Sequence, residues 1–526
     1  MSFLALTPSV VTIWVIAFAI GIAVAFAMRA FSHKIGLVDL PDPTRKLHRG
    51  NISLGGGLSV LVTTGLAYIA ADFLISPSAG WNVFIWSNRW TTLAIASVMI
   101  TLLGVVDDYR PLSGKSKLLG QVAITGFLAF NWHPSGLITL FDWSIDIGTI
   151  SGLLLMFWLL IAINSVNLID GADGVTGSFG SIASLGIATV ALINGNQMVC
   201  IVAVALSAAL AAFLCFNRPP ASIFLGDAGS MLVGFLLGIL SCIAVSDPGT
   251  PQNILIPIAL LGLPLIDSTA AVLRRVLTGR SILMGDRGHL HHLVAAHLSN
   301  RGLSPQWMIP IIGGLTLCTT IGAAIGTFFS SGLLALASVG LLIAVLLSLR
   351  IFGRAEANLL YAQTRRLGSR LLSPIRRSAC VTHNSGVALQ GNRQWDHVWQ
   401  PLVEFAEVNG LWRLRLDLNM PWLHEGYHGS WSRGQMPDAN QQWSVKLPIV
   451  CRERVVGRLD LVGKIEGTSQ IESLEAFSFL IAELQPEMEQ LVCSLDDSNL
   501  FPATARVSGI LRSSRPPGLR TATAGS

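Results

Sequence analysis

Long apolar runs recur through roughly the first two thirds of this 526-residue chain, and they restrict its fold more than any other feature. The runs are roughly 17 to 24 residues long, which is enough for a helix to cross about 30 Å of bilayer hydrocarbon. Because a lipid-exposed backbone must satisfy its own hydrogen bonds, we predict an all-α polytopic membrane protein. We expect about eleven transmembrane helices, at residues 10–28, 53–75, 91–106, 118–131, 147–163, 178–194, 198–216, 227–246, 253–273, 307–328 and 331–349.

The basic residues predict the orientation of these helices, because Lys and Arg collect in cytoplasmic loops. The first run has no basic residue before it and is followed by Arg29 and Lys34, so we expect the N-terminus outside. Alternate loops then hold the basic residues, as Lys115 and Lys117 do after the third run. The net charge of +5 is explained by this topology and by contact with the lipid bilayer, so we expect no nucleic-acid partner.

The composition changes near residue 352, where apolar runs give way to charged residues, Trp, Gln and Asn. Strand-like alternation and a later helical pattern predict a C-terminal cytoplasmic α+β domain; they fall at 411–418, 443–450, 455–462 and 471–492. Strands followed by a helix resemble the end of a GAF domain. The predicted divisions are a membrane domain at 1–351, a basic linker at 352–379, the small soluble domain at 380–495 and a disordered tail at 496–526.

Adjacent acids end the third apolar run, in the segment Leu103-Gly-Val-Val-Asp-Asp-Tyr-Arg. Asp107 and Asp108 repel each other, so they are costly at a membrane boundary unless a cation neutralises them. Magnesium is bound through one or two carboxylates together with water and substrate phosphates. The segment therefore indicates a diphosphate site, and the alternative is a solvated helix cap.

A second acidic segment, Asn164-Ser-Val-Asn-Leu-Ile-Asp-Gly-Ala-Asp-Gly-Val, follows the fifth run. If its turn is helical, Asp170 and Asp173 share one face. Its glycines, Gly171, Gly174 and Gly177, allow a ligand to approach the backbone closely. An Asx turn is the alternative explanation, although it accounts for only part of this composition.

Asp227, in Phe224-Leu-Gly-Asp-Ala-Gly-Ser-Met, opens the eighth run. Taken alone, it is typical of a helix N-cap, where a carboxylate accepts backbone N–H bonds. Beside the other two acidic segments, a catalytic or metal-binding role is an equal alternative.

Histidines cluster in the loop after the ninth run, in Gly285-Asp-Arg-Gly-His-Leu-His-His-Leu. His289, His291 and His292, with Arg287 beside them, can donate to phosphate oxygens or take part in proton transfer. A zinc site is the rival interpretation, but acidic segments elsewhere favour a hard cation with oxygen ligands.

A fifth segment, between the first two runs, places basic residues before three glycines. Arg45, Lys46 and His48 can hold phosphate there. Positive-inside topology explains the same charges, so both interpretations stay open.

These segments together resemble the polyprenyl-phosphate N-acetylhexosamine-1-phosphate transferases (glycosyltransferase 4 family, related to MraY). The resemblance covers about residues 10 to 350 and rests on four motifs in the same order: Val106-Asp107-Asp108-Tyr109, Asn167-Leu-Ile-Asp-Gly-Ala-Asp-Gly174, Phe224-Leu-Gly-Asp-Ala-Gly-Ser230 and His289-Leu-His-His292. The short histidine motif is similar to the WecA-like branch. Pro111 departs from the family, since many members have a third acid at that position.

The resemblance implies transfer of an N-acetylhexosamine 1-phosphate, with N-acetylglucosamine as the leading sugar, from a UDP-sugar to undecaprenyl phosphate. UMP is released, and the product starts a cell-envelope polysaccharide at a bacterial inner membrane, with the active site cytoplasmic. It also implies Mg²⁺ or Mn²⁺ as the cofactor, with Asp227 and Asp108 as metal ligands and Asp107 or Asp108 acting on the lipid phosphate. The remaining implied substrate-binding residues are Asn167, Asp170, Asp173, Arg287, His289, His291, His292, Lys117, Lys46 and His48.

Three other functions remain as alternatives from the sequence. A phospho-MurNAc-pentapeptide transferase would have the same reaction with a larger donor. A transporter would need acids near the centres of its spans, whereas these acids lie at span ends and in loops. A receptor would use the C-terminal domain as a sensor and leave the acidic segments unexplained. A homodimer is compatible with all of these functions.

Overall fold

The computed structural model divides the chain into two compact units, residues 1–357 and 358–526, which we describe separately. The structure describes residues 3–40, 50–75, 88–132, 136–141, 143–245, 252–278, 288–349, 352–353, 355, 357–361, 364, 382–390, 395–420, 425–433, 441–451, 454–464 and 469–500.

The first unit is a helical bundle. Its helices are α1 Phe3–Ile35, α2 Gly56–Ile75, α3 Asn88–Tyr109, α4 Gly114–Trp132, α5 Ser151–Ile169, α6 Val175–Ile193, α7 Gln197–Asn217, α8 Gly226–Ala244, α9 Leu255–Leu260, α10 Gly262–Thr278, α11 Leu290–Asn300, α12 Met308–Phe328 and α13 Gly332–Ser348. Within the described ranges, seven helical segments are long and apolar enough to cross a membrane. These spans make the chain a membrane protein, while the count of eleven and the outside N-terminus stay predictions.

Two elements differ from the sequence-based expectation. The predicted span at 253–273 is not one helix, because the chain breaks at Leu261 between α9 and α10. The sequence predicts a loop for the histidine motif, whereas α11 begins at Leu290 and His289 is its N-cap residue. Both differences affect the positions of Asp267 on α10 and of His289 at the start of α11.

Small residues let α8 pack closely against its neighbours. A Cβ atom at Gly104 of α3 would collide with the backbone of Ala228, and one at Gly57 of α2 would collide with Gly229. Small side chains at helix contacts allow this close backbone approach in membranes. The beginning of α8 therefore lies within side-chain reach of the end of α3.

Two small sheets lie at the two ends of the bundle. Near the start of α8, β1 (Val38–Asp39) pairs with β2 (Ile52–Ser53), and the Ser53 carbonyl accepts the N–H of Phe224 at 2.8 Å. After α4, three strands form a sheet in the order β4-β3-β5, namely β3 Leu137–Leu140, β4 Trp143–Asp146 and β5 Gln252–Asn253. The first sheet thus fixes the chain that leads into α8.

The second unit is an antiparallel sheet with helices on one face. Its strands are β6 Thr382–Gln390, β7 Arg413–Met420, β8 Glu425–Arg433, β9 Gln442–Cys451 and β10 Arg454–Lys464, in the order β6-β8-β7-β10-β9. Strand β7 alternates half-buried and buried residues, so that Leu414, Leu416 and Leu418 face the core. Helix α14 (Asp396–Val408) covers that face, and Tyr427 donates to Asp396 Oδ1 at 2.8 Å.

The last helix, α15 (Ser469–Leu500), packs on α14 through Phe477 and Phe405, whose ring centroids are 5.6 Å apart. The sequence predicted three of the described strands and this helix, but missed β6, β8 and α14. It also assigned residues 496–500 to the tail, whereas they continue α15. The helix extends this far because its apolar positions keep a helical spacing up to Val492, and nothing in the sequence breaks it there.

Candidate active site

Four helices bring polar side chains together around Lys117 of α4. Lys117 Nζ lies 2.9 Å from Asp107 Oδ2 of α3 and 2.6 Å from Asp227 Oδ1 of α8. Asn167 of α5 donates through Nδ2 to the same Asp227 oxygen and to Ser230 Oγ. These residues are far apart in sequence, so the cluster depends on helix packing.

The neighbouring acids of α3 have different surroundings. Asp108 accepts backbone N–H groups with both carboxylate oxygens, from Asp227 at 2.8 Å and from Ala228 at 3.1 Å. A carboxylate at a helix N-terminus is favoured by the unpaired amides there. Asp107 instead accepts the Leu112 N–H at 2.7 Å through Oδ1 and binds Lys117 through Oδ2. Asp108 therefore positions α8, and Asp107 positions Lys117.

Asp227 is not the N-cap residue of α8, since the helix begins at Gly226 and Leu225 occupies that position. Its side chain points to Lys117 and Asn167, and 34% of it is exposed. Gly226 has a φ of +72°, and a side chain there would collide with the Asp108 carboxylate. The glycine thus permits the contact between Asp108 and the start of α8.

The segment after α5 forms turns between Asp170 and Gly174, so the helical relationship between Asp170 and Asp173 does not occur. Asp173 Oδ2 accepts the Ala221 N–H at 2.9 Å, which ties this segment to the loop before α8. Gly171 is needed for a protein contact, because a Cβ there would collide with the His291 ring. The segment therefore adjoins both the acidic cluster and the histidines.

The histidines are ordered by an acid that the sequence analysis did not select. Asp267 of α10, which is 1% exposed, lies 3.0 Å from His289 Nδ1 and accepts the Leu290 N–H at 2.7 Å. His289 and His291 stack with centroids 5.9 Å apart. A signal was present, because an acid inside an apolar span calls for a functional explanation, and Asp267 lies within the predicted run 253–273.

Burial changes the pKa values of two groups, one in the turns after α5 and one in the first turn of α11. It raises the pKa of Asp170 to about 7, and repulsion from Asp227 and Asp108 adds to the effect. Burial also lowers the pKa of His291 well below its ordinary range, with His292 and His289 contributing. Among the described residues, His291 Nδ1 has no hydrogen-bond partner although it is buried. Such perturbed groups are common at functional sites.

Three predicted site residues, Lys46, His48 and Arg287, lie outside the described residues. All the other candidates are placed. Lys117, Asp107, Asp227 and Asn167 form one cluster, with Asp108 behind it. The described residues contain no group of three or more His, Cys, Asp or Glu side chains arranged as a complete metal cage.

A magnesium ion fits this donor set, because Mg²⁺ takes one or two carboxylates and completes its shell with water and substrate phosphates. Asp227 supplies an accessible carboxylate, and Asp107 is the nearest other acid sharing Lys117. Two acids, Asp107 and Asp227, bind Lys117, and Asp227, Asp108 and Asp173 are close enough to Asp170 to repel its charged form. An anionic substrate would be repelled by such a site unless a cation came with it.

The chain is similar to known membrane transferases. Residues 90–245 match the family model described as glycosyl transferase family 4. A probable undecaprenyl-phosphate N-acetylglucosaminyl 1-phosphate transferase of Bacillus subtilis is 28% identical over 271 residues, which are 51% of this chain and 72% of the relative. The undecaprenyl-phosphate alpha-N-acetylglucosaminyl 1-phosphate transferase of Escherichia coli K12 is 27% identical, with the same coverage. The decaprenyl-phosphate N-acetylglucosaminephosphotransferase of Mycolicibacterium smegmatis is 27% identical over 61% of this chain and 83% of that relative.

The bundle of apolar helices, the polar cluster at its end and these matches define a membrane-bound transferase. Within that class, residues 90–245 of the membrane unit match glycosyl transferase family 4, and the relatives that this unit resembles are polyprenyl-phosphate N-acetylglucosaminyl 1-phosphate transferases.

Proposed function

We propose that this protein transfers an N-acetylhexosamine 1-phosphate, most simply that of N-acetylglucosamine, from a UDP-sugar to undecaprenyl phosphate. The observation that carries this proposal is the cluster in which Lys117 binds Asp107 and Asp227 while Asn167 donates to Asp227, in a chain whose residues 90–245 match glycosyl transferase family 4. The named relatives act on polyprenyl phosphates and N-acetylglucosaminyl phosphate. The product would begin a cell-envelope polysaccharide on the cytoplasmic side of the inner membrane.

In the proposed reaction, an oxygen of the lipid phosphate attacks the sugar-bearing phosphorus of the UDP-sugar. The bond from that phosphorus to the bridging oxygen breaks, and UMP leaves with the electron pair. One pyrophosphate linkage replaces another, so the rate depends on positioning two anions and neutralising their charge. A bound Mg²⁺ would supply that neutralisation.

The side chains of this chain have separate tasks in the proposal. Lys117 would meet a phosphate oxygen of either substrate, and its contact with Asp107 would hold the ammonium in the cluster. Asn167 fixes the orientation of the Asp227 carboxylate, which remains partly exposed for a metal ion. His291 Nδ1 is buried and has no hydrogen-bond partner among the residues that the structure describes, which supports a substrate contact on the histidine side.

The test is an assay of UMP release by purified full-length protein in detergent with magnesium and undecaprenyl phosphate. The donors would be UDP-N-acetylglucosamine, UDP-N-acetylgalactosamine and UDP-MurNAc-pentapeptide, and the lipid product would be identified by mass. We expect UMP with one HexNAc donor and loss of it with Asp227→Asn. Absence of UMP from every donor, in protein that retains its thermal unfolding transition, would refute the proposal.

A further inference from the structure

A polar surface covers the face of the C-terminal sheet that is opposite α14. Strand alternation puts Leu414, Leu416 and Leu418 of β7 against the helices, and so puts Arg413, Arg415 and Asp417 on the other face. The cross-strand register extends this face into neighbouring strands, where Ser430 and Ser432 of β8 and Arg458 and Asp460 of β10 belong to it. We call these seven residues the arginine face.

The two arginines of β7 stand at the centre of the sheet, because β7 is the third strand of five. On the neighbouring strand β8, Ser430 lies opposite Arg415, and Ser432 lies opposite Arg413. Ser430 is only 4% exposed, and both arginines are half-buried. Arginines on an ordinary protein surface are mostly exposed to water. The partial burial of Arg413 and Arg415 is therefore more typical of a ligand-binding site than of a solvated surface.

The nearby acids balance the guanidinium groups only in part, because two acids, Asp417 and Asp460, stand among three arginines. Asp460 Oδ1 lies 3.1 Å from Arg458 Nε, and Asp417 Oδ1 lies 3.6 Å from His428 Nδ1. Within the described residues, Arg413 Nε and Arg415 Nε are buried without a hydrogen-bond partner. Burial lowers the pKa of Arg415, repulsion from Arg413 and Arg458 contributes to this shift, and attraction to Asp460 opposes it. The centre of the face therefore has an excess of positive charge and unused donors.

We infer that the arginine face binds a phosphate-bearing anion, held by Arg413 and Arg415 together. Side chains two residues apart on a strand lie on the same face about 7 Å apart, so two guanidinium groups can converge on one group with several oxygens. Arginine matches phosphate geometry with paired N–H donors. The ligand is either a free phosphate compound or a lipid headgroup, since both carry the same chemistry.

The probe is radiolabelled inorganic pyrophosphate, measured by equilibrium dialysis against full-length protein in nanodiscs of neutral lipid. EDTA is present, so that the acidic cluster of the membrane unit, without a cation, repels the probe. We expect one bound equivalent for the wild type. Arg413→Gln combined with Arg415→Gln should weaken binding at least about tenfold, since both charge-assisted contacts are lost. Arg454→Gln with Lys464→Gln, which removes the same charge at the ends of β10, should bind within about twofold of the wild type.

Equal binding by the wild type and the Arg413 and Arg415 double variant would overturn the inference, as would an equal loss in the Arg454 and Lys464 control. If the double variant does not fold, Arg415→Lys replaces it; this variant keeps the charge and loses the paired donors, so weaker binding is expected and unchanged binding contradicts the inference. Nanodiscs containing phosphatidylglycerol then identify the source. If phosphatidylglycerol suppresses pyrophosphate binding by the wild type and by the Arg454 and Lys464 control, the natural ligand is a lipid headgroup. If binding is unchanged, the natural ligand is a free phosphate compound.

Discussion

Asp267 holds His289 through a 3.0 Å contact between Oδ2 and Nδ1, and its second oxygen accepts the N–H of Leu290. Because a carboxylate only accepts, the imidazole proton of this contact lies on Nδ1. His289 Nε2 is then the nitrogen that remains for a ligand. The acid thus sets both the orientation of the ring and the start of α11.

Replacement of Asp267 by asparagine should lower kcat roughly 100-fold, because displacing a catalytic group by about 1 Å can reduce the rate by that factor. Asparagine has an NH2 donor in place of one of the two accepting oxygens, so the contact with either His289 or Leu290 breaks. The measurement is UMP release across a pH range, where a changed profile indicates an altered His289. Ser268→Ala is the control, since Ser268 contacts Ser165 at 2.8 Å and not the histidines. A wild-type rate and profile for Asp267→Asn would contradict the positioning role.

Lys117→Gln should reduce UMP release by roughly 100-fold or more, because it removes the cation that lies between Asp107 and Asp227. Lys115 lies on the same first turn of α4 but is exposed, so Lys115→Gln is a matched control that should keep near wild-type activity. Equal rates in the two variants would show that the Lys117 contacts serve packing alone.

Magnesium titration separates the roles of Asp227 and Asp108. Asp227→Asn should raise the magnesium concentration for half-maximal residual activity, because a partly exposed carboxylate is lost. Asp108→Asn should lower the maximal rate and leave that concentration nearly unchanged, because both Asp108 oxygens bind backbone amides. A shifted magnesium requirement in Asp108→Asn would instead make Asp108 a metal ligand, as the sequence predicted.

The raised pKa of Asp170 predicts a pH dependence of stability in magnesium-free buffer. Its folded-state pKa of about 7 exceeds the ordinary value of 3.8, so the folded state binds this proton more tightly. The resulting stabilisation is complete below about pH 4 and is lost as the pH rises through about 7. Asp170→Asn should remove this contribution. The measurement is the difference in Tm between wild type and variant from pH 5 to pH 8 in EDTA; a constant difference would show that Asp170 does not titrate there.

Gly171→Ala should impair activity more than folding, because the new Cβ would displace the His291 ring. A clash with a side chain inside a packed site typically costs about 1–3 kcal/mol. A Cβ at Gly65 of α2 would meet no atom within 4 Å, so Gly65→Ala is the control and should keep full activity and an equal or higher Tm. UMP release and thermal unfolding of both variants check the prediction, and full activity in Gly171→Ala would exclude close contact with His291.

Local sequence information was enough for the main features of the fold. Apolar runs predicted the membrane helices, and alternation predicted β7, β9 and β10, since both patterns depend on near neighbours. Strand β8 was missed because Gly426 to Ser432 mixes glycine, serine and aromatic residues without clear alternation. Both of its faces are largely buried, which only the complete sheet explains.

The amino-acid sequence by itself determined that the chain enters a membrane, that acids lie at the ends of its helices and that four motifs resemble one transferase family. Only the tertiary structure decided which contacts each of these acids makes. The close packing of Gly104 against Ala228 brings Asp108 onto the start of α8, and helix packing places Lys117 between Asp107 and Asp227. The break between α9 and α10 likewise precedes the helix from which Asp267 reaches His289. Such contacts join residues far apart in the chain, and hydrogen bonds act over about 3 Å, so no local pattern can predict them.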